Sequence, residues 1–297
     1  PHFEMYMSPI NIDPEKPSLP ISYPFSYSIY LSKLMGSYAT LGLAEDTWAL
    51  NERVINEDVF LRQVYKYHHE REEMFFNALD KTRRGLCTCV FDTTDRIQHM
   101  FMRFITKDHP AHAIGTDQEK YRGTIEDLYK KMDHMIGKVM ERIDKNDVLI
   151  VMSDHGFKPF KRGINLNTWL YKNGYLTLKD QKKTGNEWFQ GIEWEKTRAY
   201  TFGMSGIYIN EKGRESKGIV AGEEKEELKR ELINKLNGLM DDEKGVVAIK
   251  ECFNTTDYYN GPYKDNGPDI IIGCNEGYRA SWGAAVGRVD EKIFEDN

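Results

Sequence analysis

Five consecutive apolar residues, Val148-Leu149-Ile150-Val151-Met152, run straight into Ser153-Asp154-His155-Gly156-Phe157, and this junction constrains the fold more than any other stretch. A strand with one wet face alternates apolar and polar side chains. An unbroken apolar run instead predicts a strand covered on both faces, as in a parallel sheet with helices above and below. The loop after it carries a carboxylate beside an imidazole, at the strand end where open α/β sheets collect ligands. A second run, Leu86 to Phe91, leads into Asp92-Thr93-Thr94-Asp95 and predicts another buried strand feeding a loop.

Helices are expected around these strands. Short ones span about Tyr27–Leu34 and Asp95–Phe104. A longer one covers about Asp58–Leu79, with Phe60, Val64, Tyr67, Met74, Phe75 and Leu79 on its buried stripe. The clearest runs from about Gln118 to Arg142, where Ile125, Leu128, Met132, Ile136, Val139 and Ile143 recur every three or four residues. Leu166 to Lys172 forms another helix, stopped at Asn173-Gly174. Residues 1–24, punctuated by Pro9, Pro14, Pro17, Pro20 and Pro24, read as an extended surface segment. Residues 25–174 form the core α/β part carrying the ligand motifs. Residues 175–265 read as an elaboration or subdomain. It comprises a charged loop over 179–196, a strand at 206–209, a helix through Leu228, Leu232, Leu236 and Leu239, and a half-exposed strand at 246–253. Residues 266–297 hold a last core strand, Asp269–Ile272, and a tail. The alternation predicts an α/β fold with a largely parallel sheet.

Composition narrows the function. The 297 residues carry 41 basic and 47 acidic side chains, a net charge of −6, without the basic stripe of a nucleic-acid binder. No stretch approaches a membrane span, and 12% aromatics argue against disorder. Cys87, Cys89, Cys252 and Cys274 are too sparse for a disulfide scaffold and read as small buried apolar residues, with Cys87 and Cys89 on one strand face. A cytoplasmic location is the default expectation.

The chemistry gathers at the two strand ends. Asp154 and His155 are adjacent, and Asp95 and His99 stand at i and i+4 on one helix face, a spacing at which both reach one divalent cation. His68, His69 and His134 read as solvated, and His109 and His112 as surface-loop residues. Lys158, Lys161 and Arg162 read as a solvated basic loop, with offsetting of phosphate charge as the alternative.

Asp95-x-x-x-His99, Ser153-Asp154-His155-Gly156-Phe157 and Arg162-Gly163-Ile164-Asn165-Leu166-Asn167-Thr168-Trp169-Leu170 together resemble the type I phosphodiesterase/nucleotide pyrophosphatase family of the alkaline phosphatase superfamily. The resemblance extends through Gly206-Ile207-Tyr208-Ile209-Asn210, Gly213-Arg214-Glu215 and Gly277-Tyr278-Arg279-Ala280-Ser281-Trp282. It implies an alkaline-phosphatase-like three-layer sandwich with an inserted smaller subdomain, incomplete at both ends. It also implies two divalent metal ions, usually zinc, with manganese or iron compatible. Asp154 and His155 serve one ion, together with an upstream Asp and a Thr or Ser nucleophile; Asp95 and His99 serve the other. The implied substrate is a small phosphate ester or nucleotide.

The chain departs from that pattern in three places. No histidine follows His155, the upstream Asp is missing, and no Thr or Ser before Asp95 sits at a suitable turn. The nucleophile is therefore expected upstream of Pro1, and the chain is read as an inactive fragment of a hydrolase with exposed apolar surface. The alternatives are a non-catalytic binding module on the same scaffold or a relative of the metal-dependent phosphoglycerate mutases.

Overall fold

The computed structural model describes residues 5–42, 44–115, 117–180, 185–204 and 206–297. Part of the charged loop expected over 179–196, residues 181–184, lies outside the described residues. The chain divides into two compact units, residues 1–107 with 114–157, and residues 108–113 with 158–297.

The regular elements of the first unit are all helices among the described residues: α1 Ser26–Met35, α2 Thr47–Asn51, α3 Glu57–Lys81, α4 Thr93–Phe101, α5 Gln118–Tyr121 and α6 Thr124–Met140. Asn56 starts α3 by accepting from the Val59 N–H at 3.0 Å, satisfying one of the orphan donors of a helix end. Phe60 and Val64 of α3, Ile97 and Phe101 of α4, and Leu128 of α6 are fully buried together. The single helix expected over 118–142 is two helices. Gly123, a poor helix former, falls at the break, and Tyr121 turns its ring onto Phe101 and Phe104 while its hydroxyl donates to Asp58 at 2.9 Å.

The two strands expected in this unit do not form. Val148, Ile150 and Met152 are 83%, 74% and 85% exposed, and Leu86 is 85% exposed. Neither 86–91 nor 148–152 makes a backbone hydrogen bond to another described segment. The reason is physical. An apolar run specifies the faces of a strand, but a strand also needs a hydrogen-bonded ladder to a neighbouring backbone, and neither segment makes one to the described residues. The alternation survives nonetheless. Cys87, Cys89 and Phe91 share a half-buried side while Leu86 and Val90 face out, and Phe91 packs on His68 and Phe75 at 5.6 and 5.8 Å. Both thiols are free, and burial pushes that of Cys89 up to about 11.

The second unit begins with β1 Arg162–Ile164 and α7 Leu166–Lys172, which Asn165 caps by accepting from the Thr168 N–H at 2.9 Å. It continues through β2 Ala199–Thr201, β3 Gly206–Ile209, α8 Glu223–Leu236, β4 Met240–Asp241, β5 Val246–Val247, β6 Ile249–Asn254, β7 Ile270–Cys274, β8 Tyr278–Ala280, α9 Trp282–Ala285 and β9 Phe294–Asp296. Three small sheets result: β8-β1-β9, β2-β3-β7-β6 and the β4-β5 pair. Only β1 and β8 run parallel, so the expected mostly parallel sheet is absent among the described strands. Leu228, Leu232 and Leu236 of α8 are buried in the same core as Ile207, Ile209, Ile270 and Ile272 of the antiparallel sheet.

Asp269 stands just before β7 and organises one edge of that sheet. Its carboxylate accepts from the Ile209 N–H at 2.7 Å, from Arg214 at 2.7 Å, and pairs with Lys225 at 3.0 Å. The Gly-Arg-Glu segment at 213–215 thus has a structural task, since Arg214 also donates to Glu215 at 2.8 Å.

Candidate active site

All four expected ligand residues belong to the first unit. Asp95 lies in the first turn of α4 and His99 in its last, and one helical turn brings His99 Nε2 to 3.2 Å from Asp95 Oδ1. The loop after Met152 delivers His155, whose Nε2 is 3.7 Å from the same Oδ1. Asp95 is therefore the point where the two motifs meet. Asp154, 3.7 Å from His155 and 89% exposed at its side chain, faces solvent.

Phe157 acts as a wedge between the imidazoles. Its ring meets His99 edge-on at 4.8 Å and His155 at 5.3 Å, which restricts both side chains. His155 Nδ1 is 3.0 Å from the Gly156 carbonyl oxygen. A carbonyl only accepts, so Nδ1 carries a proton and Nε2 is the ring atom turned towards the Asp95 carboxylate. A carboxylate with imidazoles is a donor set suited to a divalent transition metal. Fit is nevertheless partial. Asp95 is also held by the Arg96 guanidinium, and no group of three or more His, Cys, Asp or Glu side chains among the described residues is arranged to hold a metal ion. A second ion has no ligand set there.

Several expectations are corrected. His68 is 2% exposed rather than solvated: its Nδ1 meets the Thr93 hydroxyl at 3.1 Å, its Nε2 has no hydrogen-bond partner among the described residues, and burial lowers its pKa. It anchors the first residue of α4, the helix that carries Asp95 and His99. Its position, four residues after Val64 and eight after Phe60, was the available signal. His109 is buried rather than at the surface, whereas His69 and His134 are exposed as expected. Arg162 is no loop cation. It lies buried in β1, donating to Asp241 at 2.9 Å, Asp296 at 2.8 Å and Glu243 at 2.8 Å. Lys158 is exposed, 3.6 Å from Glu276.

A mixed α/β chain in which an Asp-x-x-x-His helix meets a Ser-Asp-His-Gly loop at one carboxylate has the makings of a phosphate-ester hydrolase. The chain belongs to the type I phosphodiesterase/nucleotide pyrophosphatase family, whose sequence model matches residues 23–287. This is a family of hydrolases acting on small phosphate esters and nucleotides. No curated protein and no solved structure matches the chain. No helix among the described residues is long and apolar enough to cross a membrane.

Proposed function

We propose that this chain contributes the Asp95, His99, Asp154 and His155 portion of a metal-dependent centre that hydrolyses phosphodiester or pyrophosphate bonds. The observation that carries the reading is the convergence of His99 and His155, from two distant motifs, on Asp95 at 3.2 and 3.7 Å. Asp95, His99 and His155 would hold a divalent cation, zinc in the first instance, which would supply Lewis-acid stabilisation of charge on a phosphoryl oxygen. Asp95 orients His99 through their contact, the Gly156 carbonyl fixes the His155 tautomer, and Phe157 keeps both rings from turning away. Asp154 is the remaining candidate ligand. The hydroxyl nucleophile, Thr or Ser, and a further histidine ligand are supplied from outside these 297 residues, so the chain by itself does not turn over. Residues 175–265 are the proposed carriers of substrate specificity.

One observation favours a second reading, a non-catalytic binding module on the same scaffold: no closed metal-holding group of three side chains occurs among the described residues. Zinc titration of the purified chain and of the Asp95→Ala variant, followed by an assay with bis(p-nitrophenyl) phosphate, separates the two. The expected result is zinc binding that Asp95→Ala weakens by roughly tenfold or more, the scale at which metal-site perturbations register, with no turnover. Zinc binding indifferent to Asp95 sinks the hydrolase-centre reading; robust turnover by the chain alone sinks its incompleteness.

A further inference from the structure

Glu45 is a buried carboxylate whose cation is shared with the candidate site. Its side chain is 3% exposed, and among the described residues the cation that reaches it is Arg96, with Nε 3.8 Å from Glu45 Oε2. That separation is a charge contact, too long for a hydrogen bond. Arg96 Nε is itself buried and has no hydrogen-bond acceptor among the described residues. A buried donor without an acceptor costs free energy, and so does a buried charge that is incompletely paired. Glu45 and Arg96 would both gain by closing the gap.

Arg96 is engaged at its other end. Its Nη1 donates to Oδ2 of Asp95, the residue before it in α4. The two Asp95 oxygens therefore have separate partners: Oδ1 is 3.2 Å from His99 and 3.7 Å from His155, while Oδ2 is held by Arg96. The Arg96 side chain is 16% exposed, so water screens these contacts weakly. One guanidinium thus stands between two carboxylates, and its charge on Oδ2 opposes any cation drawn to Oδ1. All of these residues belong to the first unit.

We propose that Glu45 is a positioning residue for the metal centre and acts through Arg96, drawing the guanidinium away from Asp95 so that the Asp95 carboxylate is released to the cation. Arg96 and the cation compete for one carboxylate, and Glu45 biases that competition towards the cation. When the guanidinium moves onto Glu45, Nε gains the acceptor it lacks and the buried Glu45 charge gains a close partner. Glu45 has this role only where Asp95 is a ligand, as proposed above.

Zinc titration calorimetry of the whole chain and its variants tests the relay. Glu45→Gln should weaken zinc binding about tenfold, the scale on which groups that orient metal ligands register. Arg96→Gln should tighten it about tenfold, whereas loss of a merely structural contact would loosen the site. In the double variant Glu45→Gln/Arg96→Gln the affinity should match that of Arg96→Gln within about twofold, because Glu45 then has nothing to act through. Glu45→Asp keeps the buried charge but is one methylene shorter, and should lose about threefold. Melting curves show which variants are folded at the titration temperature; if Glu45→Gln is not, Glu45→Asp decides. Zinc binding that Asp95→Ala weakens but both Glu45 variants leave unchanged overturns the role of Glu45 and leaves the metal centre standing. Arg96→Gln binding zinc no more tightly than wild type does the same, as does a double variant weaker than Arg96→Gln by the whole Glu45→Gln factor. Zinc binding indifferent to Asp95→Ala overturns both.

Discussion

Replacing Asp269 by Asn probes the second unit at its most charged buried point. The carboxylate is 6% exposed and neutralises two cations, Arg214 at 2.7 Å and Lys225 at 3.0 Å, while fixing the Ile209 amide at 2.7 Å. An amide keeps the shape and one acceptor but leaves those cations short of a charge. Breaking a buried pair in this way costs about 3–5 kcal/mol. The low end applies, because Arg214 retains Glu215 at 2.8 Å and Lys225 retains Glu211 at 2.6 Å. A loss of about 3 kcal/mol lowers the melting temperature of a unit this size by roughly 6–12 °C. Differential scanning calorimetry of Asp269→Asn against wild type measures it. The pH dependence carries a second signature. Burial alone raises the Asp269 pKa, but Arg214, the Ile209 N–H and Lys225 outweigh it and hold the carboxyl below the usual range. A depressed folded-state pKa gives stability that is present above the unfolded value, near 3.9, and lost as pH falls through the folded value. The gap between wild type and variant should therefore be constant around neutrality and close in strong acid. A drop below about 2 °C at pH 7, or a gap that widens on acidification, refutes the reasoning.

Three further outcomes are expected. Ile150→Lys places a charge at a site already 74% exposed, so stability should change by less than about 0.5 kcal/mol while binding of a hydrophobic dye falls; a large loss of stability would mean the side chain is buried. His68 is held neutral by burial, with its pKa lowered, so the first unit should lose stability as pH falls below about 6.5, and His68→Leu should flatten that slope in thermal melts across pH 5–7. Phe157→Ala should weaken zinc binding by roughly tenfold without moving the melting temperature of the first unit, because it frees two imidazoles rather than removing a ligand; unchanged affinity would show that the rings are held otherwise.

The helices were legible in the sequence because their hydrogen bonds and buried stripes are local. The helices expected over about 27–34, 58–79 and 95–104 are found at Ser26–Met35, Glu57–Lys81 and Thr93–Phe101, within a few residues, and only Gly123, with Tyr121 turned into the core, splits a predicted helix in two. The closeness of the candidate ligands within each motif was legible in the same way: Asp95 and His99 needed only helix periodicity, and Asp154-His155 only adjacency. Phe157 was visible as a motif residue, but its contact with both imidazoles depends on where the loop after Met152 meets α4. His68 was misjudged because its charged neighbours on α3 disguise a position on the buried stripe.

Sequence by itself determined where the long helices lie, which residues are candidate ligands and which family the chain resembles, since each rests on local order along the chain. Only the tertiary structure decided that His155 meets Asp95, that Arg162 and Asp269 are buried charge hubs, and that 86–91 and 148–152 have no strand partner among the described residues. A β-ladder, a buried ion pair and a shared site each join groups distant in sequence. Whether they form depends on which other backbone or charge arrives beside them, and an apolar run or a lone carboxylate does not encode that neighbour.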